Sequence, residues 1–100
     1  MDNHNAYFVT IRGLRESFPK DITQEEQNIM EDHFRYLQEL FVKGKLAVAG
    51  RNLDDGTGYI ILKTRSLNEA QMIMSQDPSV QQKVVFPSFK RFLLAVGNRD

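Results

Sequence analysis

A chain of 100 residues with 41% hydrophobic and 26% charged side chains supports one core and one domain, because folding at this length buries roughly two thirds of the unfolded surface. Thirteen Lys and Arg balance thirteen Asp and Glu, so no overall field favours nucleic acid or an anionic membrane as a partner. Cysteine is absent, which excludes disulfides, thiolate metal sites and a cysteine nucleophile.

The first residues, MDNHNAYFVTIR, lack the basic start and apolar run of a signal peptide, and no stretch approaches the roughly 20 apolar residues that span a bilayer. A soluble, cytoplasmic protein with a single domain over residues 1–100 is expected. His4 falls where a frayed terminus is expected.

AYFVTIR (residues 6–12) is rich in aromatic and β-branched types, and Tyr7, Val9 and Ile11 alternate with Phe8 and Thr10, as a strand requires. GLRESFPKDI (13–22) then breaks the pattern with Gly13, Pro19 and charges, so it reads as a loop long enough to serve as a lid. Thr23 and Glu26 have capping-box spacing and start a helix. Its stripe is Met30, His33/Phe34, Leu37 and Leu40/Phe41, and Gly44 is the expected stop.

LAVAGR (46–51) and GYIILKT (58–64) flank an Asp55-Gly56 turn signal and read as a hairpin. Ser66 and Glu69 repeat the capping-box spacing, and Leu67, Ala70, Ile73 and Met74 form a second helical stripe that ends near Asp77-Pro78. VVFPSFKRFLLAV (84–96) closes the chain as extended structure, with Pro87 confined to an edge, bulge or bend.

The order β-α-β-β-α-β predicts an α+β, ferredoxin-like fold: one antiparallel sheet with both helices on one face. Tyr59 and Ile61 point one way and Ile60 and Leu62 the other, so neither sheet face is polar. A second copy is the economical cover, which predicts a two-fold homodimer with the sheets face to face, a dimeric α/β barrel.

His33 stands among apolar helix positions where leucine would serve. Imidazole moves protons near neutral pH, but a satisfied core histidine is the plainer account. Asp77 would orient an imidazole if the two met, yet capping a short turn at Pro78 explains it equally well. Arg51, at the end of the second strand, has a planar fork suited to a substrate carboxylate, or is a solvated strand-end charge. Arg12 would line the same cleft, or lies on the surface. Tyr36 is expected on a different face from His33. Met30, Met72 and Met74 fit core or interface packing. Two histidines without a third clustered ligand do not suggest zinc, no glycine-rich phosphate loop or Gly-x-Ser-x-Gly elbow occurs, and no cofactor is expected.

Three segments carry a family resemblance: HFRYLQELFVKGKLAVAG (33–50), DGTGYIILKTRSLNEAQMIMSQDPSV (55–80) and FPSFKRF (86–92). With His33 four residues before Leu37, a Gly-Lys-Leu turn into a strand ending Ala-Gly, and a late Asp-Pro, the chain resembles the YciI-like, or YCII-related, family. The resemblance implies a ferredoxin-like protomer, a dimeric α/β barrel and an active site in which His33 and Asp77 match the family's His and Asp. Where the family often has Gly-Pro after the second strand, this chain has Gly50-Arg51.

The resulting expectation is a small cofactor-independent lyase or isomerase in which His33, oriented by Asp77, moves a proton on a small organic substrate. The alternative is a small-ligand-binding or interaction module with a structural His33. RNA binding, which other ferredoxin-like domains perform, lacks the aromatic, basic platform here.

Overall fold

In the computed structural model, which describes residues 3–97, the chain runs β1 (Ala6–Gly13), α1 (Gln24–Val42), β2 (Leu46–Arg51), β3 (Gly58–Leu62), α2 (Leu67–Ser75), α3 (Pro78–Gln81) and β4 (Val85–Phe92). The strands form one antiparallel sheet in the order β2-β3-β1-β4, the ferredoxin-like arrangement expected from the element order. Residues 1–2 and 98–100 of the expected domain lie outside the described residues.

Alternation in β1 decides the layers. Tyr7, Val9 and Ile11 pair with Leu62, Ile60 and Gly58 of β3 and share one core with Leu37 and Leu40 of α1 and Ala70 and Met74 of α2. Both longer helices therefore cover the same sheet face. The helix ends follow from local chemistry. Thr23 and Glu26 satisfy each other's backbone in a complete capping box. At the other end Gly44 takes φ +78°, and the amides of Gly44 and Lys45 bond the carbonyls of Phe41 and Leu40, a closure that glycine accepts without a Cβ clash. Ser66 accepts from the Glu69 amide, which starts α2.

Pro87 lies in β4, which among the described residues pairs only with β1 and so forms a sheet edge where a missing amide donor is tolerated. The strand stops at Phe92, short of the expected Val96.

The 13–22 segment is an ordered strap. Three successive turns form as the amides of Phe18, Lys20 and Ile22 bond the carbonyls of Arg15, Ser17 and Pro19. Its seat requires glycine at 13, where an added Cβ would lie 2.6 Å from Phe18 atoms. His4 and Tyr36 depart from expectation. His4 is held, its Nε2 2.9 Å from the Arg65 carbonyl and its ring edge-on to Tyr7. Met72 is exposed, while Met74 is fully buried. Tyr36 is half-buried against the core; three residues along a helix is only about 60° short of a full turn, so it shares His33's side.

No helix among the described residues is long and apolar enough to cross a membrane.

Candidate active site

α1 brings His33 to the inside of the fold, where its residue exposure is 2%, and the α2–α3 corner brings Asp77 to it at 0%. His33 Nδ1 and Asp77 Oδ2 are 2.6 Å apart. The other carboxylate oxygen, Oδ1, accepts from the Ser79 amide and from the Ser79 hydroxyl, both at 2.8 Å. Asp77 is thus both the N-cap of α3 and the hydrogen-bond partner of His33.

A carboxylate that accepts from Nδ1–H leaves the second nitrogen of a neutral ring, Nε2, as an acceptor. Ser79 Oγ, 3.2 Å from Nδ1, has already given its hydrogen to Asp77 and can only accept there. No described residue bonds Nε2, and no buried side-chain nitrogen or oxygen among the described residues lacks a partner. Nε2 is therefore the atom left to the adjoining cavity.

That cavity, about 720 Å³, lies between α1 and the helix-covered sheet face. Met30, His33, Phe34 and Leu37 line it from α1, Ile11 and Ile60 from the sheet, and Phe18, Pro19 and Ile22 from the strap. Its walls are mostly apolar, so a bound molecule would lose water on entry and feel nearby charges more strongly.

Residues 6–87 match the YCII-related domain. The chain belongs to the YCII-related family. A solved structure of 5-chloro-2-hydroxyhydroquinone dehydrochlorinase from Burkholderia phenoliruptrix, in complex with 2,5-dihydroxybenzoquinone, is similar to this YCII-related chain with a TM-score of 0.58 and 21% identity, covering 86% of this chain and 92% of that one. At that identity the likeness shows a shared fold. No curated protein sequence matches.

Register separates the two arginines of this YCII-related chain. Ile11, Gly58 and Arg51 are cross-strand partners in one row, so Arg51 shares the inward face of Ile11 and lines the cavity. Arg12, one residue on from Ile11, takes the opposite face. It is absent from the cavity walls, and the expectation that it would line the cleft is corrected. Its charge instead acts on Asp55, whose carboxyl is held low first by hydrogen bonds from Thr57 and then by Arg12.

Two residues not assigned to the site from sequence support the pair. Ser79, fully buried, saturates Asp77 Oδ1; serine two residues after an aspartate, just past a proline, is the only sequence signal for it. Tyr36 donates to the Ile73 carbonyl at 2.6 Å, which ties α1 to the end of α2 and holds the Asp77 corner over His33. Burial, then the negative charges of Asp77 and Glu39, raise the Tyr36 phenol above its ordinary value, so it stays a donor. No group of three or more His, Cys, Asp or Glu among the described residues is arranged to hold a metal ion.

The strap that walls the cavity is clamped by Arg15. Its Nε meets both Asp21 oxygens at 2.9 and 3.0 Å, and its Nη atoms meet both Glu26 oxygens. The Arg15 hydrogen bonds, largest of the causes, hold both carboxyls down to about 2, from ordinary values of 3.8 and 4.5. A depressed carboxyl stabilises the fold above its unfolded value and loses that stabilisation as pH falls toward its folded value. The strap is therefore expected to loosen between about pH 4.5 and 2, before the sheet does. The Arg15 Nε–H resonance should broaden or shift in that window; an unchanged signal down to pH 2 would refute the clamp.

Proposed function

We propose that this YCII-related protein is a cofactor-independent lyase or isomerase that moves a proton on a small organic substrate, with His33 Nε2 as the base and Asp77 as its orienting partner. The observation that carries this is the buried 2.6 Å contact between His33 Nδ1 and Asp77 Oδ2 at the wall of an apolar cavity. Asp77 fixes the ring's tautomer and stabilises the imidazolium that forms when Nε2 takes a proton. Ser79 and Tyr36 are positioning residues, and the strap keeps water from the reacting atoms.

The dehydrochlorinase of like fold acts on a chlorinated hydroxyhydroquinone, as its name states, and that substrate is the first probe. Chloride release from it, together with exchange of acidic C–H groups of small ring ketones in D2O followed by proton NMR, tests the elementary step. Catalysis of either that disappears in His33→Gln is expected. Buffer-level rates for all probes with folded protein would reject the proposal.

Residues 1–100 act in this scheme as one domain, and its working form is a homodimer. Phe8 stacks on Tyr59 with ring centroids 5.6 Å apart and touches Phe92 on the sheet face away from the helices. Val48 and Phe86 add exposed apolar surface there, and water is a poor cover for such a face. Light scattering at micromolar concentration should give twice the chain mass; the mass of one chain would contradict the dimer.

A further inference from the structure

Of the described residues that line the cavity, only His33, Gln38 and Arg51 carry polar side chains, and none carries a carboxylate. Arg51 has no ion-pair or hydrogen-bond partner among the described residues. Its neighbours in the cross-strand row do not compete for the guanidinium, since Gly58 has no side chain and Ile11 is apolar. Ala49, the other inward residue toward the end of β2, is small and leaves the floor beside Arg51 open. Arg51, a permanent positive charge with a vacant fork of donors, thus sits at the exposed sheet edge of an apolar cavity, where it also borders a hollow with Phe8 and Tyr59 on the other sheet face, while His33 lines the cavity from α1.

We propose that Arg51 is the specificity anchor for a planar oxyanion on the substrate, so that this site takes small aromatic or unsaturated acids. The inference rests on the cavity being the substrate site, with His33 as its base. The chemistry fits the two walls. A guanidinium pairs a flat oxyanion through two parallel N–H groups, the apolar walls take the ring or carbon body, and the oxyanion end is fixed at Arg51. When His33 draws a proton from the body, negative charge spreads into a conjugated substrate toward that oxyanion, where the guanidinium stabilises it. Lysine would supply the charge without the fork.

Two sources supply such an oxyanion: a carboxylate, or an ionised ring hydroxyl. Four probes separate them. Benzoate is compared with benzamide and 4-nitrophenolate with 4-nitroanisole, each titrated into the unliganded protein by calorimetry or ligand-observed NMR. At least one anion is expected to bind about tenfold more tightly than its neutral counterpart, the size of one charged hydrogen-bonded contact. A benzoate preference identifies a carboxylate, and a nitrophenolate preference identifies a ring oxygen. Arg51→Gln should abolish the ratio by weakening the anion alone, and Arg51→Lys should keep part of it. Arg51 is exposed, so circular dichroism of both variants should match wild type.

His33→Ala separates the two ideas. It should leave the anion ratio in place, because that readout needs no proton transfer, whereas loss of turnover in the same variant bears only on the base. Equal affinity for charged and neutral probes, a ratio that survives Arg51→Gln, or no binding of any probe at millimolar concentration would overturn the assignment of Arg51.

Discussion

Asp77→Ala is expected to lower the free energy of unfolding by about 3–5 kcal/mol, from about 1–3 kcal/mol for each buried donor left unsatisfied less what relaxation recovers, as measured by urea denaturation. The side chain is fully buried and accepts from His33, the Ser79 amide and the Ser79 hydroxyl. Removing it strands three donors at once and uncaps α3, and the cavity left is too enclosed for water to replace each bond well. Asp77→Asn should cost less, about 1–3 kcal/mol, because its amide oxygen still accepts from Ser79. Its nitrogen, however, would face Nδ1–H with a second donor. The ring escapes that clash by moving its proton to Nε2, which removes the acceptor from the cavity. Asp77→Asn is therefore expected to retain most of the fold and to lose proton transfer. If the Asn variant is as active as wild type, the tautomer is not set by Asp77.

These expectations depend on contacts that the sequence revealed unevenly. Local rules sufficed for the elements: Thr23 with Glu26, Gly44, and the alternation of Tyr7, Val9 and Ile11 each state a short-range preference that the tertiary fold satisfies. The helix-covered face was legible for the same reason, since one stripe on each helix and one face of each strand have to meet. Arg12 and Arg51 were not separable, because each sits near a strand end and the face each takes depends on pairing. Only the register that aligns Ile11, Gly58 and Arg51 assigns them. A bulge between Leu46 and Val48 adds to the difficulty, since one extra residue flips every later side chain to the other face.

His33 and Asp77 lie 44 positions apart, and no spacing rule reports a contact at that separation. What brings them together is the corner between α2 and α3, which the sequence marks only as Asp-Pro. Ser79 was silent for a related reason: a serine after Asp-Pro reads as turn chemistry, and its burial follows from α3 packing against α1. The strap was legible as a loop, but its order comes from Arg15 reaching both Asp21 and Glu26, six and eleven residues on, a choice of partners that a stretch with several charges does not state.

His33→Ala is expected to reduce turnover of any active probe by about 10²–10⁴-fold, the usual contribution of one general base. The effect should fall on kcat with KM little changed, because the apolar walls and Arg51 that would hold the substrate remain. Stability should fall as well, by about 3–5 kcal/mol, since the fully buried Asp77 carboxylate loses the ring that pairs its Oδ2 while Oδ1 keeps both bonds from Ser79. A purely structural histidine would give the opposite split, with a similar loss of stability and turnover within a few-fold of wild type. Urea denaturation and kinetics on the same preparation separate the two. Added imidazole sharpens the test. The substitution opens a space of the ring's own shape between α1 and the Asp77 corner, so free imidazole can occupy it, hydrogen-bond Asp77 and present its second nitrogen to the substrate. Saturable recovery of kcat with imidazole is the expected result. Recovery of thermal stability without recovery of turnover would assign His33 to the core.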